Sequence, residues 1–197
     1  MSEFELYFTT GLTHVLDING YDHVLYLTVL ALPYMFKDWK KILLLVTLFT
    51  IGHTASLLLS VYGVLSVNSA VIEFLIPVTI MTAAIYNVIK GASKGSAKQN
   101  GMNFLAITTL FFGLIHGLGF SNFFKIILAG NSDSKLLPLL EFALGIEAAQ
   151  IIVVLVVLVV SFIVQEFLRF PKRDWVLVMS AFVAGIVLPI IFDRAIW

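Results

Sequence analysis

Apolar segments near residues 22–36, 40–61, 68–89, 102–124, 137–164 and 175–192, each bounded by charged or turn-forming residues, leave this chain few ways to fold. The longest contains IIVVLVVLVVSFIV, residues 151–164, without a single charge. Segments of this kind suit the hydrocarbon core of a membrane, where a helix satisfies its own backbone hydrogen bonds. The expected fold is therefore an all-α integral membrane protein, a six-transmembrane-helix bundle. Composition agrees: 60% of residues are hydrophobic and only 12% charged. Six spans with short connections use up 197 residues, so one membrane domain over residues 1–197 is expected. A formal net charge of +0 offers no general attraction to nucleic acid. The absence of cysteine excludes thiolate metal sites, disulfides and cysteine nucleophiles. Glu3 and Glu5 stand where a signal peptide would be basic, so no cleaved signal is expected.

Before the first segment, Phe4, Phe8, Leu12 and Val15 share one helical face, which predicts a short N-terminal helix that lies in the membrane interface or dips partway into the bilayer. DINGYD then supplies a turn through Asn19-Gly20. Orientation follows from the basic residues. Lys37, Lys40, Lys41, Lys90, Lys94, Lys98, Arg169, Lys172 and Arg173 occupy three connections on one side, against Lys125, Lys135 and Arg194 on the other. The basic side is cytoplasmic. An inner-membrane, multi-pass protein with both termini on the non-cytoplasmic side is expected.

That orientation sets the depth of the polar residues. His53 lies 12 residues after Lys41 and His116 lies 14 after Met102, which places both roughly 18–21 Å above the inner boundary. Glu73 and Glu147 fall roughly 8 and 15 Å below the outer boundary. Asp22 and His23 open a first span of only 15 residues, or about 22 Å, short of a core about 30 Å thick. All four histidines, His14 included, thus belong to the outer half. Charged groups at such depth cost about 2.5–3.5 kcal/mol each on insertion scales, so several together face one another or a wet cavity. Plainer roles stand beside this: Asp22 as a helix cap, His14 and Ser56 as interhelical hydrogen-bonders, and the glycines of FFGLIHGLGF as packing contacts or as room for a ligand. Glu141 is expected to be solvated, Gln150 to orient Glu147 from one turn away, and only Asn87 to continue a polar path inward.

Five motifs in order, GLTHVLDINGYDHVLYLTVLAL, TLFTIGHTASLLL, VIEFLIPVTIMTAAIYNVI, FFGLIHGLGFSNFF and LEFALGIEAAQ, resemble the HupE/UreJ family of small membrane proteins. The resemblance covers roughly residues 11–150. It implies six spans and accessory nickel uptake for hydrogenase or urease maturation. The family's polar residues correspond here to His14, Asp22, His23, His53, Glu73, His116, Glu147 and Gln150. The chain departs from the pattern in the seven residues between His14 and Asp22, a wider spacing than is usual, and in Ala143, where relatives often carry Asn.

The leading expectation is a protein that binds and translocates a divalent transition metal: nickel by resemblance, with zinc, copper or iron equally suited to imidazole and carboxylate. The metal site would draw on His14, Asp22, His23, His53, Glu73, His116 and Glu147, supported by Gln150 and Ser56. Two alternatives are an intramembrane zinc-dependent hydrolase, with Glu73 or Glu147 as base, and a haem protein ligated by His53 and His116. The expected partners are the lipid bilayer, the metal ion and, in a homo-oligomer, a second copy of the chain.

Overall fold

The computed structural model describes residues 2–92, 101–128 and 135–196. Among them lie seven α-helices: α1 (Glu3–Leu16), α2 (Asp22–Ala31), α3 (Trp39–Val61), α4 (Ser69–Ala92), α5 (Gly101–Leu128), α6 (Leu136–Phe162) and α7 (Lys172–Asp193). The described residues contain no strand. Helices α3 to α7 are each long and apolar enough to cross a membrane, and the chain is a multi-pass membrane protein. Lys94 and Lys98 lie outside the described residues.

Local chemistry explains the helix ends. Ser2 caps α1, its hydroxyl accepting from the Glu5 amide at 3.1 Å while the Glu5 carboxylate accepts from the Ser2 amide at 3.4 Å. At the other end Asp17 closes a local turn. Its carboxylate accepts from the Asn19 amide at 2.9 Å and its carbonyl from the Gly20 amide at 3.2 Å. Helix α3 stops in a left-handed cap at Gly63 (φ 75°), with Gly63 donating to Ser60 and Val64 to Leu59.

Two prolines leave carbonyls that the fold must satisfy, because proline has no N–H to donate four residues back. Pro33 ends α2 early, so the helix covers Asp22–Ala31 and not the expected segment 22–36. The Val29 carbonyl it leaves accepts from the Asn87 side-chain amide at 2.8 Å. Asn87 therefore has a structural task. Within α4, Pro77 likewise frees the Glu73 carbonyl, which accepts from Arg194 at 3.4 Å.

Packing centres on three close helix pairs, α3 with α5, α1 with α6, and α4 with α7. The N-terminal helix packs against the bundle, with Tyr7, Gly11 and Val15 buried. A Cβ on Gly11 would strike the Phe142 carbonyl, and one on Gly145 the Phe8 carbonyl, so small residues on both helices allow the approach. Along α5 the partners of the first two helices run in order. Tyr7 packs on Phe124, His14 on Phe120, His23 on His116 and Tyr26 on Phe112, at ring separations of 6.2, 3.9, 4.9 and 5.0 Å. Helices α1 and α2 thus follow one another along α5 as two pieces of one line, interrupted at residues 17–21.

Candidate metal centre

The interruption is what gathers the histidines. His14 sits in the last turn of α1 and His23 in the first turn of α2, and their rings meet edge to face at 4.7 Å across the break. From the other side α3 contributes His53, 5.9 Å from His14 and 6.0 Å from His23, and α5 contributes His116, 4.9 Å from His23. His23, His53 and His116 are buried and His14 half-buried. One ligand atom each from His14, His23 and His53 lies within 4.8 Å of the others. Metal–imidazole bonds of about 2.0–2.1 Å put two ligands no more than about 4.2 Å apart, so closing the three on one ion needs movements on the order of 1 Å.

The outer ring atoms are oriented. His116 Nδ1 lies 2.9 Å from the Phe112 carbonyl and His23 Nδ1 lies 3.2 Å from the Asp22 carboxylate. Both oxygens only accept, so each Nδ1 carries the proton and each Nε2 presents a lone pair. Asp22 also accepts from the His23 amide at 2.9 Å, which fixes the carboxylate at the start of α2. Its part is to hold His23, whether or not it also touches a ligand.

Those lone pairs have no protein partner. Of the ten buried side-chain N and O atoms without a hydrogen bond among the described residues, five are imidazole nitrogens: Nε2 of all four histidines and Nδ1 of His53. Leaving such atoms unmet costs about 1–3 kcal/mol each. Each neutral imidazole keeps one lone pair, and the concentration of unmet ring nitrogens at one point fits a cation.

Glycines set the distance between α3 and α5. A Cβ on Gly113 would meet the Phe49 carbonyl and come within 3.0 Å of the His53 amide nitrogen. One on Gly117 would meet the His53 carbonyl and the Ser56 hydroxyl, and one on Gly52 the Leu110 carbonyl. Of the two roles open to FFGLIHGLGF, Gly113 and Gly117 take the packing one: they let the helices bearing His53 and His116 touch along their backbones.

A family model described as HupE / UreJ protein matches residues 1–193. The chain belongs to the HupE/UreJ family. No curated protein and no solved structure matches it.

In this HupE/UreJ chain the remaining sequence candidates lie elsewhere. Glu73 is exposed on α4, beside Asp193 and Arg194 in a surface cleft. Glu147 accepts from the Thr47 hydroxyl at 2.6 Å, and Gln150, fully buried, lies 3.3 Å from the Thr50 hydroxyl. Thr47 precedes His53 by six residues, about 9 Å along α3, so this polar pair forms a separate layer below the imidazoles. Ser56, expected to hydrogen-bond between helices, instead donates to the His53 carbonyl of its own helix at 3.0 Å and meets α5 only as a packing contact at Gly117. Glu141, expected to be solvated, is 9% exposed with one oxygen unpartnered, because it lies on the stretch of α6 that α1 covers. Sequence reasoning passed over Thr47, Thr109 and Tyr26. Of these only Tyr26 carried a signal, standing three residues after His23 and so on the same helix face.

Two openings lie beside these residues, one at Asp22 and one at His14. One, of about 250 Å³, is lined by Gly20, Asp22, Pro77 and Arg194, and a broader groove reaches His14 between Thr10 and Phe120.

Proposed function

We propose that this HupE/UreJ protein binds a divalent transition metal at His14, His23, His53 and His116, with Asp22 positioning His23, and carries it across the membrane. Nickel is the favoured ion on family grounds, while imidazole donors alone suit zinc, copper and iron as well. One observation carries the proposal: four imidazoles from four helices converge with every Nε2 unpartnered. Helices α1 and α2 form a single interrupted crossing, of the kind that surrounds ion sites in transporters. With α3 to α7 this makes six crossings in one membrane domain, and the basic loops put both termini on the non-cytoplasmic side of the inner membrane. Glu73 collects cations at the outer mouth, and Glu147 with Gln150 forms a later station.

Neither alternative chemistry has comparable support. A hydrolytic site needs a base beside the metal, yet Glu147 is bonded to Thr47 and Glu73 is exposed. A haem between His53 and His116 would displace Phe49, which packs at 6.2 Å from one ring and 5.2 Å from the other.

The test is elemental analysis of protein purified without a histidine tag. Single His→Ala changes at His14, His23, His53 and His116 should each lower bound metal. The wild type should also lose metal in acid, where protonation removes the imidazole lone pair. Unchanged metal content in all four variants would dismiss the site.

A further inference from the structure

Directly beneath the imidazoles lies an aromatic layer one side chain thick. Tyr26 packs on Phe49 at 5.3 Å and on Phe112 at 5.0 Å, and its ring is 6.0 Å from His116. Tyr26 is 1% exposed and its hydroxyl lies 3.2 Å from the Thr109 hydroxyl. On the far side of this layer is a cavity of about 700 Å³ among α2, α3, α4 and α5. Tyr26, Phe112 and Thr109 form its ceiling, Asn87 and Thr82 its wall, and exposed Lys40 and Lys90 its mouth.

Resting on the metal-transport function proposed above, we infer that this cavity is the cytoplasmic half of the path and that Tyr26 is its gate. The argument is one of dimensions and bonds. An ion with six waters occupies roughly 200 Å³, counting about 30 Å³ for each water, so the cavity admits a hydrated ion. What separates it from the cluster is the aromatic layer of Tyr26, Phe49 and Phe112. Of these rings only Tyr26 carries a hydroxyl, and turning it toward the cavity it lines gives up its hydrogen bond to Thr109. None of the described residues lining the cavity is an imidazole or a carboxylate, so the ion passes through it and is held at the histidines above. Apolar walls otherwise suit a lipid tail, and the experiment separates the two occupants.

The chain has no cysteine, so single reporters are clean. Ala83→Cys places a thiol in the cavity wall and His116→Cys one above Tyr26. In inside-out membrane vesicles, a charged impermeant methanethiosulfonate should label Ala83→Cys readily and His116→Cys slowly. Adding Tyr26→Phe, which keeps the ring and loses the hydrogen bond, should speed labelling of His116→Cys roughly fivefold. Tyr26→Ala should speed it further. The conservative variant guards against misfolding, because it changes one oxygen atom. An unlabelled Ala83→Cys would mean a lipid-filled cavity and overturn the proposal. So would labelling of Ala83→Cys from the outer face alone, fast labelling of His116→Cys with Tyr26 intact, or rates unmoved by both Tyr26 variants. Labelling requires no metal. Failure of the gate is thus distinguishable from failure of the metal site, which is read by metal content.

Discussion

Replacing His53 with leucine should have opposite effects on the metal-free and metal-loaded protein. His53 is fully buried and neither ring nitrogen has a partner. Without metal, the imidazole burdens the fold with two unmet polar atoms at about 1–3 kcal/mol each, while a leucine of similar size loses nothing polar. Imperfect repacking between Phe49 and Phe142 takes back about 1.5 kcal/mol or less. The metal-free variant should therefore be as stable as wild type, or more stable by about 1–2 kcal/mol. With metal at a hundred times its dissociation constant, wild type should gain about 2.7 kcal/mol that the variant largely lacks. At about 2–4 °C per kcal/mol for a chain of this size, metal should raise the wild-type midpoint by roughly 5–10 °C. Thermal unfolding in detergent, after chelation and again after metal addition, reads both arms. A His53→Leu protein several degrees less stable without metal, yet still stabilised by metal as wild type is, would refute the reasoning. His53 would then be part of the core.

Gly117→Ala puts a methyl group against the His53 carbonyl, so α3 and α5 must part and carry His53 and His116 with them. Overpacking of this kind costs about 1–3 kcal/mol, and calorimetric titration should show weaker metal binding with every imidazole still present. Glu147→Gln keeps an acceptor for the Thr47 hydroxyl in a layer below the cluster. It should leave metal content unchanged while slowing uptake into vesicles, and loss of bound metal would instead put Glu147 among the ligands.

The helices were readable because their apolar runs were long, and the shared depth of His53 and His116 because spacing along a helix converts directly to distance. What could not be read was rotation about the helix axis. Glu73 lies at a plausible depth yet points away from the bundle, and Glu147 meets Thr47 in place of an imidazole. Both outcomes depend on which face each helix presents to its neighbour, and helices that are apolar all round do not encode that in their periodicity. His14 is the converse case. The longer spacing to Asp22 falls in the turn at Asp17, and His14 still meets His23 across it. Asn87 and Arg194 were out of reach for another reason. Each serves a carbonyl vacated by a proline in sequence-distant or neighbouring helices, and such pairings exist only once the helices have packed.

The break between α1 and α2 has a mechanical consequence. His53 and His116 belong to a block whose two helices are joined backbone to backbone through glycine, while His14 and His23 ride on two separate levers meeting at a five-residue joint. An ion held by all four would act as a removable cross-link among three bodies. Seated, it would pin both levers to the block; departed, it would leave α1 held to α6 through Gly11 and Gly145, and the joint itself to the Asp17 turn and side-chain contacts. Occupancy and the angle of the broken helix would then be one coordinate, so that loading the ion stiffens the outer half of the molecule and losing it frees that half to bend.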